Sequence, residues 1–136
     1  MYRFIDHTAD IAFEVEAESL EKLIEDATMA FYSAFTYLDM IDDSKTVEMV
    51  VEEQTPDLLL FSWLNELLFI FDTHHFAGKK IEVHVDKNDI LRAEGKIWGG
   101  RLSPEKVRLE PKAITLHNFK VEKTEKGWKA FVVIDI

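Results

Sequence analysis

Asp6 and Asp10 bracket His7-Thr8-Ala9 near the start of the chain, and Asp135 stands next to last, followed by Ile136. Acids at opposite ends of a sequence do chemistry only if the fold unites them. If the apolar segment that ends in Asp135 pairs beside the segment that opens at Asp10, the two carboxylates converge. Two such groups about 4 Å apart repel by roughly 4 kcal/mol at an effective dielectric near 20, and a bound cation reverses the sign. All the donors would be hard oxygens, which favours Ca2+ or Mg2+ over zinc or copper. The ordinary alternative is that Asp6 and Thr8 close an Asx or ST turn while Asp10 caps a strand. Spacing alone leaves both open.

A second group lies on Lys112-Ala113-Ile114-Thr115-Leu116-His117. Lys112 and His117 are five apart, so a regular strand turns them to opposite faces, and a bulge between them would change that. Arg101, Lys106 and Arg108 are close to Lys112 in sequence. They would make either a phosphate- or acid-facing patch or a solvated edge. His74-His75 closes an apolar segment, where a cation complements the end of a helix dipole. His84 falls on the polar side of an alternating segment.

Several chemistries are excluded. The chain has no cysteine, which removes disulfides, thiolate metal sites and cysteine nucleophiles. It has no HExxH, GxSxG, P-loop or GxGxxG pattern. Ser62 sits in an apolar run, a poor setting for an activated nucleophile.

The elements that must position these residues follow from periodicity. Residues 11–16 alternate as a half-buried strand, with a short strand before them at residues 2–5. Ser19 is placed to cap an amphipathic helix over residues 20–38. Residues 47–52 alternate again. Thr55-Pro56-Asp57 supplies a cap, a first-turn proline and an acid, so a helix starts there and runs to about His74. It is apolar nearly all round and should be the most buried helix. The remainder reads as β: residues 80–86 and 90–98 flank a turn, Gly99-Gly100 opens a loop, and residues 113–123 and 128–136 flank Thr124-Glu125-Lys126-Gly127. The expected fold class is α+β, two helices packed on a mainly antiparallel sheet.

The 136 residues suit one domain with a sizeable core, since 47% are apolar and ten are Phe. The formal charge of -10 argues against general affinity for nucleic acid, which depends on Lys and Arg. The charge is divided along the chain: residues 1–72 hold 17 acids and 3 bases, residues 73–136 hold 9 and 13. Such a division is either ordinary solvated surface or a docking face for another macromolecule. Asp6 and Asp10 interrupt any secretory h-region, and the longest apolar run, residues 58–71, falls short of the ~20 residues a membrane span needs. The expectation is a soluble cytoplasmic protein.

Four blocks in order along the chain carry a family likeness. Asp6-His7-Thr8-Ala9-Asp10-Ile11 resembles the opening motif of the archeases, and Trp63-Leu64-Asn65-Glu66-Leu67-Leu68 resembles their WLNELL helix. The Lys112 to His117 block resembles their KAxTYH strand. Gly127-Trp128-Lys129-Ala130 with Val133-Ile134-Asp135-Ile136 resembles their closing strand. Ala12 stands where Gly is usual, and Leu116 where Tyr is usual. The resemblance implies an SHS2-like fold. It implies a protein, not itself an enzyme, that helps the RNA ligase RtcB in tRNA splicing and RNA repair by promoting its guanylylation by GTP and its turnover. RNA and GTP would be met only through the ligase. It further implies a divalent metal, Ca2+ ahead of Mg2+, held by Asp10, Asp135 and Ile136. Lys112 is implied to matter, with Asp6, His7 and His117 as candidate partner-facing residues. The rival readings are a stand-alone metal-dependent phosphoester hydrolase and a general chaperone or scaffold.

Overall fold

The computed structural model describes residues 1–6 and 10–136. The chain runs β1 (Tyr2–Ile5), β2 (Asp10–Ala17), α1 (Leu20–Phe35), β3 (Lys45–Glu53), α2 (Pro56–Phe69), β4 (Phe76–Lys87), β5 (Leu91–Arg101), β6 (Ala113–Thr124) and β7 (Gly127–Asp135). The strands form two antiparallel sheets, ordered β1-β2-β7-β6 and β3-β5-β4, where the sequence predicted one. The class is α+β as expected. α1 packs on β2 and β4, α2 packs on β6 and β3, and one apolar cluster therefore joins both sheets.

The caps act as their chemistry dictates. The Ser19 hydroxyl accepts from Lys22 N–H at the start of α1, and the Thr55 hydroxyl accepts from Leu58 N–H at the start of α2. These satisfy amides that have no partner within the helix. α1 ends earlier than the periodicity predicts. Thr36 turns to extended backbone and forms a bridge with Val107, so residues 38–40 form a separate short 3-10 turn.

α2 continues as a π-helical turn, Ile70–His74, and stops at His75 in the left-handed region with φ of 50°. Its inner face, with Trp63, Leu64 and Leu67, is wholly buried. The outer face is not: Leu58, Asn65, Glu66 and Phe69 are exposed, which corrects the expectation of burial all round.

Gly99 and Gly100 do not open a loop. They continue β5 opposite Gly78 and Ala77 in β4, which begins at Phe76. A Cβ at Gly99 would lie 2.0 Å from the Ala77 carbonyl oxygen, so the glycines serve close approach of two strands.

Candidate functional site

β7 is a central strand, with β2 on one side and β6 on the other. Phe13 and Val15 on β2, with Val132 and Ile134 on β7, turn inward and are fully buried. Strand alternation then sends Asp10 and Asp135 to the opposite face. The register makes them direct partners: Asp10 lies opposite Asp135. Side chains of directly opposed antiparallel residues share a face, with Cβ atoms about 4.5–5.5 Å apart. The two acids therefore project side by side from the end of the sheet, Asp10 half-buried and Asp135 exposed.

β6 brings the second sequence motif to the same place. Ala113 pairs with Asp135, and Lys112 N–H donates to the Asp135 carbonyl at 2.8 Å. Lys112 is thus beside the end of β7, next to Ile136, and its side chain is exposed. His117 is not brought in by a regular strand. The β6–β7 register jumps from Thr115 opposite Val133 to Lys120 opposite Phe131, leaving 116–119 as a bulge. Asn118 takes a φ of 57°, His117 is exposed, and Leu116 is 69% exposed. His7 lies outside the described residues.

A cavity of about 540 Å³ opens where β1 and β2 meet α1, with Asp6, Asp10, Ser33 and Arg108 among its lining residues. Arg108 is placed by the sequence only in a candidate basic patch or solvated edge with Lys112, not against α1. It rides on the segment between β5 and β6, which is tied to α1: Arg108 N–H donates to the Phe35 carbonyl at 2.9 Å, and its guanidinium Nη1 donates to the Ala34 carbonyl at 3.0 Å. It serves as a cationic C-terminal cap for α1. Lys106 Nζ reaches the Arg101 carbonyl at 3.3 Å. The basic residues near Lys112 are therefore partly spent on backbone carbonyls.

The donor set can be tested against a hard cation. Two carboxylates on one sheet face, with oxygen from Ile136 beside them, suit an ion that takes six to eight oxygen ligands. Among the described residues no group of three or more His, Cys, Asp or Glu side chains stands together to hold a metal. The described residues would then fill only part of the shell. A soft or tetrahedral metal is a poor match, and a hard ion with positions left open is a good one.

Comparison with known proteins points one way. Residues 2–136 match the family described as "Archease protein family (MTH1598/TM1083)". Over 135 residues the chain is 54% identical to a protein archease from Archaeoglobus fulgidus, covering 99% of this chain and 98% of that one. It is 33% identical to one from Pyrococcus abyssi, covering 96% and 95%. Among solved structures, Methanobacterium thermoautotrophicum protein 1598 superposes with a TM-score of 0.87 at 29% identity, over 99% of this chain and 98% of that one. The crystal structure of "an archease, possible chaperone" from Thermotoga maritima shares the fold, with a TM-score of 0.66 at 24% identity over 97% and 94%. No helix among the described residues is long and apolar enough to cross a membrane.

Proposed function

The chain belongs to the archease family, and on that footing we propose that it is a cytoplasmic, non-catalytic activator of the GTP-dependent RNA ligase RtcB, serving tRNA splicing and RNA repair. The observation that carries this reading is the pairing of Asp10 with Asp135 at the open end of β7. Asp10, Asp135 and an oxygen of Ile136 hold a divalent ion, Ca2+ in preference to Mg2+. When bound, that ion supplies positive charge to oxygen ligands from outside this chain, phosphate oxygens among them.

The remaining roles belong to the chain's own side chains. Asp10 and Asp135 present a preformed pair of oxygen donors from a strand end held on both sides by ladder hydrogen bonds. Lys112 stands beside them as an exposed ammonium, placed to neutralise phosphate or acidic groups of the partner. Asp6, which lines the same cavity as Asp10, and His117, on the β6 bulge, are exposed and face the partner.

The test is guanylylation of the purified ligase by labelled GTP, with and without this protein and its Asp10→Ala and Asp135→Ala variants. The wild type should stimulate, and each variant should lose most of the effect. Variants as active as wild type overturn the site. A wild type without effect overturns the ligase reading, and phosphoester turnover by the isolated protein would favour a hydrolase instead.

A further inference from the structure

α2 carries a second apolar stripe that the core does not use. Leu58 and Phe69 are 43% and 51% exposed. They are eleven residues apart, three turns of helix and roughly 16 Å along one face. Ser62 and Asn65 lie between them on that face, and Phe61 flanks it, half-buried. Phe61 meets Phe119 edge to face, with ring centroids 5.4 Å apart. Phe119 ends the β6 bulge that begins with exposed Leu116, three residues beyond the Ala113–Asp135 pair. The Phe61–Phe119 contact therefore joins the flank of the stripe to β6, the strand that pairs with β7.

Isolated exposed apolar side chains are ordinary on any surface. The charge around these is not ordinary. From residue 46 to residue 78 there is no Lys or Arg. Asp57, Glu66 and Asp72, on and next to α2, are exposed and make no ion pair among the described residues, and the half-buried Glu53 carboxylate accepts from the Ser62 hydroxyl at 2.8 Å. Phe69 also meets the exposed His74 ring at 5.7 Å between centroids, and the formally charged neighbours of the two anchors on α2 are all carboxylates, which complement a surface with apolar pockets rimmed by Lys and Arg.

We infer that the outer face of α2 is a docking surface for the RNA ligase itself, a second contact beyond the acid pair; this rests on the ligase reading above. The charge argument selects that occupant. An enzyme that holds RNA must display Lys and Arg toward phosphates, and a chain of net charge -10 is steered to such a surface and repelled by copies of itself. Leu58 and Phe69 are the anchors, and Glu66 supplies rim charge.

The experiment measures the affinity of the purified ligase for wild type, for Leu58→Ser with Phe69→Ser, and for Glu66→Lys, at low and high salt. All three are also titrated calorimetrically with Ca2+, and their folding is checked by circular dichroism. Both variants should bind the ligase at least tenfold more weakly, wild-type binding should weaken with salt, and Ca2+ binding should be unchanged. The altered residues are exposed, so native folding is expected. Wild-type binding with both variants equally tight overturns this surface and leaves the ligase reading standing. Absence of any wild-type binding to the ligase overturns both. A wild-type dimer in sedimentation that Phe69→Ser dissolves overturns the inference in favour of self-association.

Discussion

Asp10 and Asp135 face each other across one rung of the β2–β7 ladder, one near each end of the chain. Like charges set directly opposite in a sheet destabilise it by about 0.2–1 kcal/mol. Asp135→Asn keeps the strand and removes one charge. Without divalent ion, the variant should melt at the wild-type temperature or about 1–3 °C above it. Millimolar Ca2+ should raise the wild-type melting temperature, because a ligand that binds only the folded state stabilises it, and should leave the variant unmoved. Thermal unfolding with Ca2+ and with chelator checks both halves. A variant that keeps the full Ca2+ response would place the ion elsewhere.

Arg108 closes the C-terminal end of α1 through the Ala34 carbonyl at 3.0 Å, and α1, like α2, touches both sheets. Removing the guanidinium leaves that carbonyl without its cationic donor. Arg108→Ala should cost about 1–2 kcal/mol of unfolding free energy. Arg108→Lys should recover only part of it, since an ammonium lacks the planar fork. Urea unfolding of the two variants measures the difference. Arg108 also lines the cavity beside Asp6 and Asp10, so the same variants should be titrated with Ca2+ to separate a folding effect from a site effect.

Tyr32 is fully buried, and burial pushes its phenol well above the usual tyrosine range, with the Gly78 backbone offsetting only part of the shift. Its hydroxyl makes no hydrogen bond of normal geometry. The proton affinity is higher in the folded than in the unfolded state, so the unfolded chain loses its proton first as pH rises. Stability is then level below about pH 10 and falls above it, with a slope approaching ~1.4 kcal/mol per pH unit from this one group. Tyr32→Phe should remove that slope. It should be near neutral at pH 7, because an unsatisfied hydroxyl contributes little to stability. Urea unfolding at pH 7, 10 and 11 on both proteins gives the difference. Identical alkaline limbs would show that Tyr32 ionises equally in both states.

The acid pair was legible as one of two open readings, because it needed only two facts: that residues 11–16 alternate, and that an apolar last strand seeks a central place. Pairing those two strands fixes where Asp10 and Asp135 meet, and the register places them opposite one another. Residues whose role depends on a third element were not legible. Arg108 reaches α1 from an irregular segment, so no periodicity points at it. The bulge at 116–119 was open in the sequence because a bulge is set by what the neighbouring strand allows. Gly99-Gly100 misled for the same reason. Glycine marks both a tight turn and a close approach of backbones, and only the packing of Ala77 against Gly99 tells which. The short reach of α1 was likewise decided by Val107, which pairs with Thr36 from far along the chain.

Trp63 shows how tightly the inner face of α2 is specified. Its indole N–H donates to the Thr28 hydroxyl at 2.9 Å, and that hydroxyl donates to the Ile24 carbonyl at 2.7 Å. On the sheet side the ring lies so close to β5 that a Cβ at Gly95 would sit 2.5 Å from Trp63 Cη2. The hydrogen bond to α1 holds the ring in place, so it cannot retreat from an added methyl. Gly95→Ala should therefore cost about 1–3 kcal/mol by overpacking, although the substitution is favourable for strand propensity. Trp63→Phe should cost about 2–4 kcal/mol through lost volume and the lost donor to Thr28. A smaller ring leaves room for the methyl, so the double variant should be less damaged than the sum of the two by at least ~1 kcal/mol. Chemical unfolding of the four proteins completes the cycle. Simple additivity would mean that Gly95 is required by the neighbouring Glu82 carbonyl, 3.3 Å from the same Cβ position, and not by the indole.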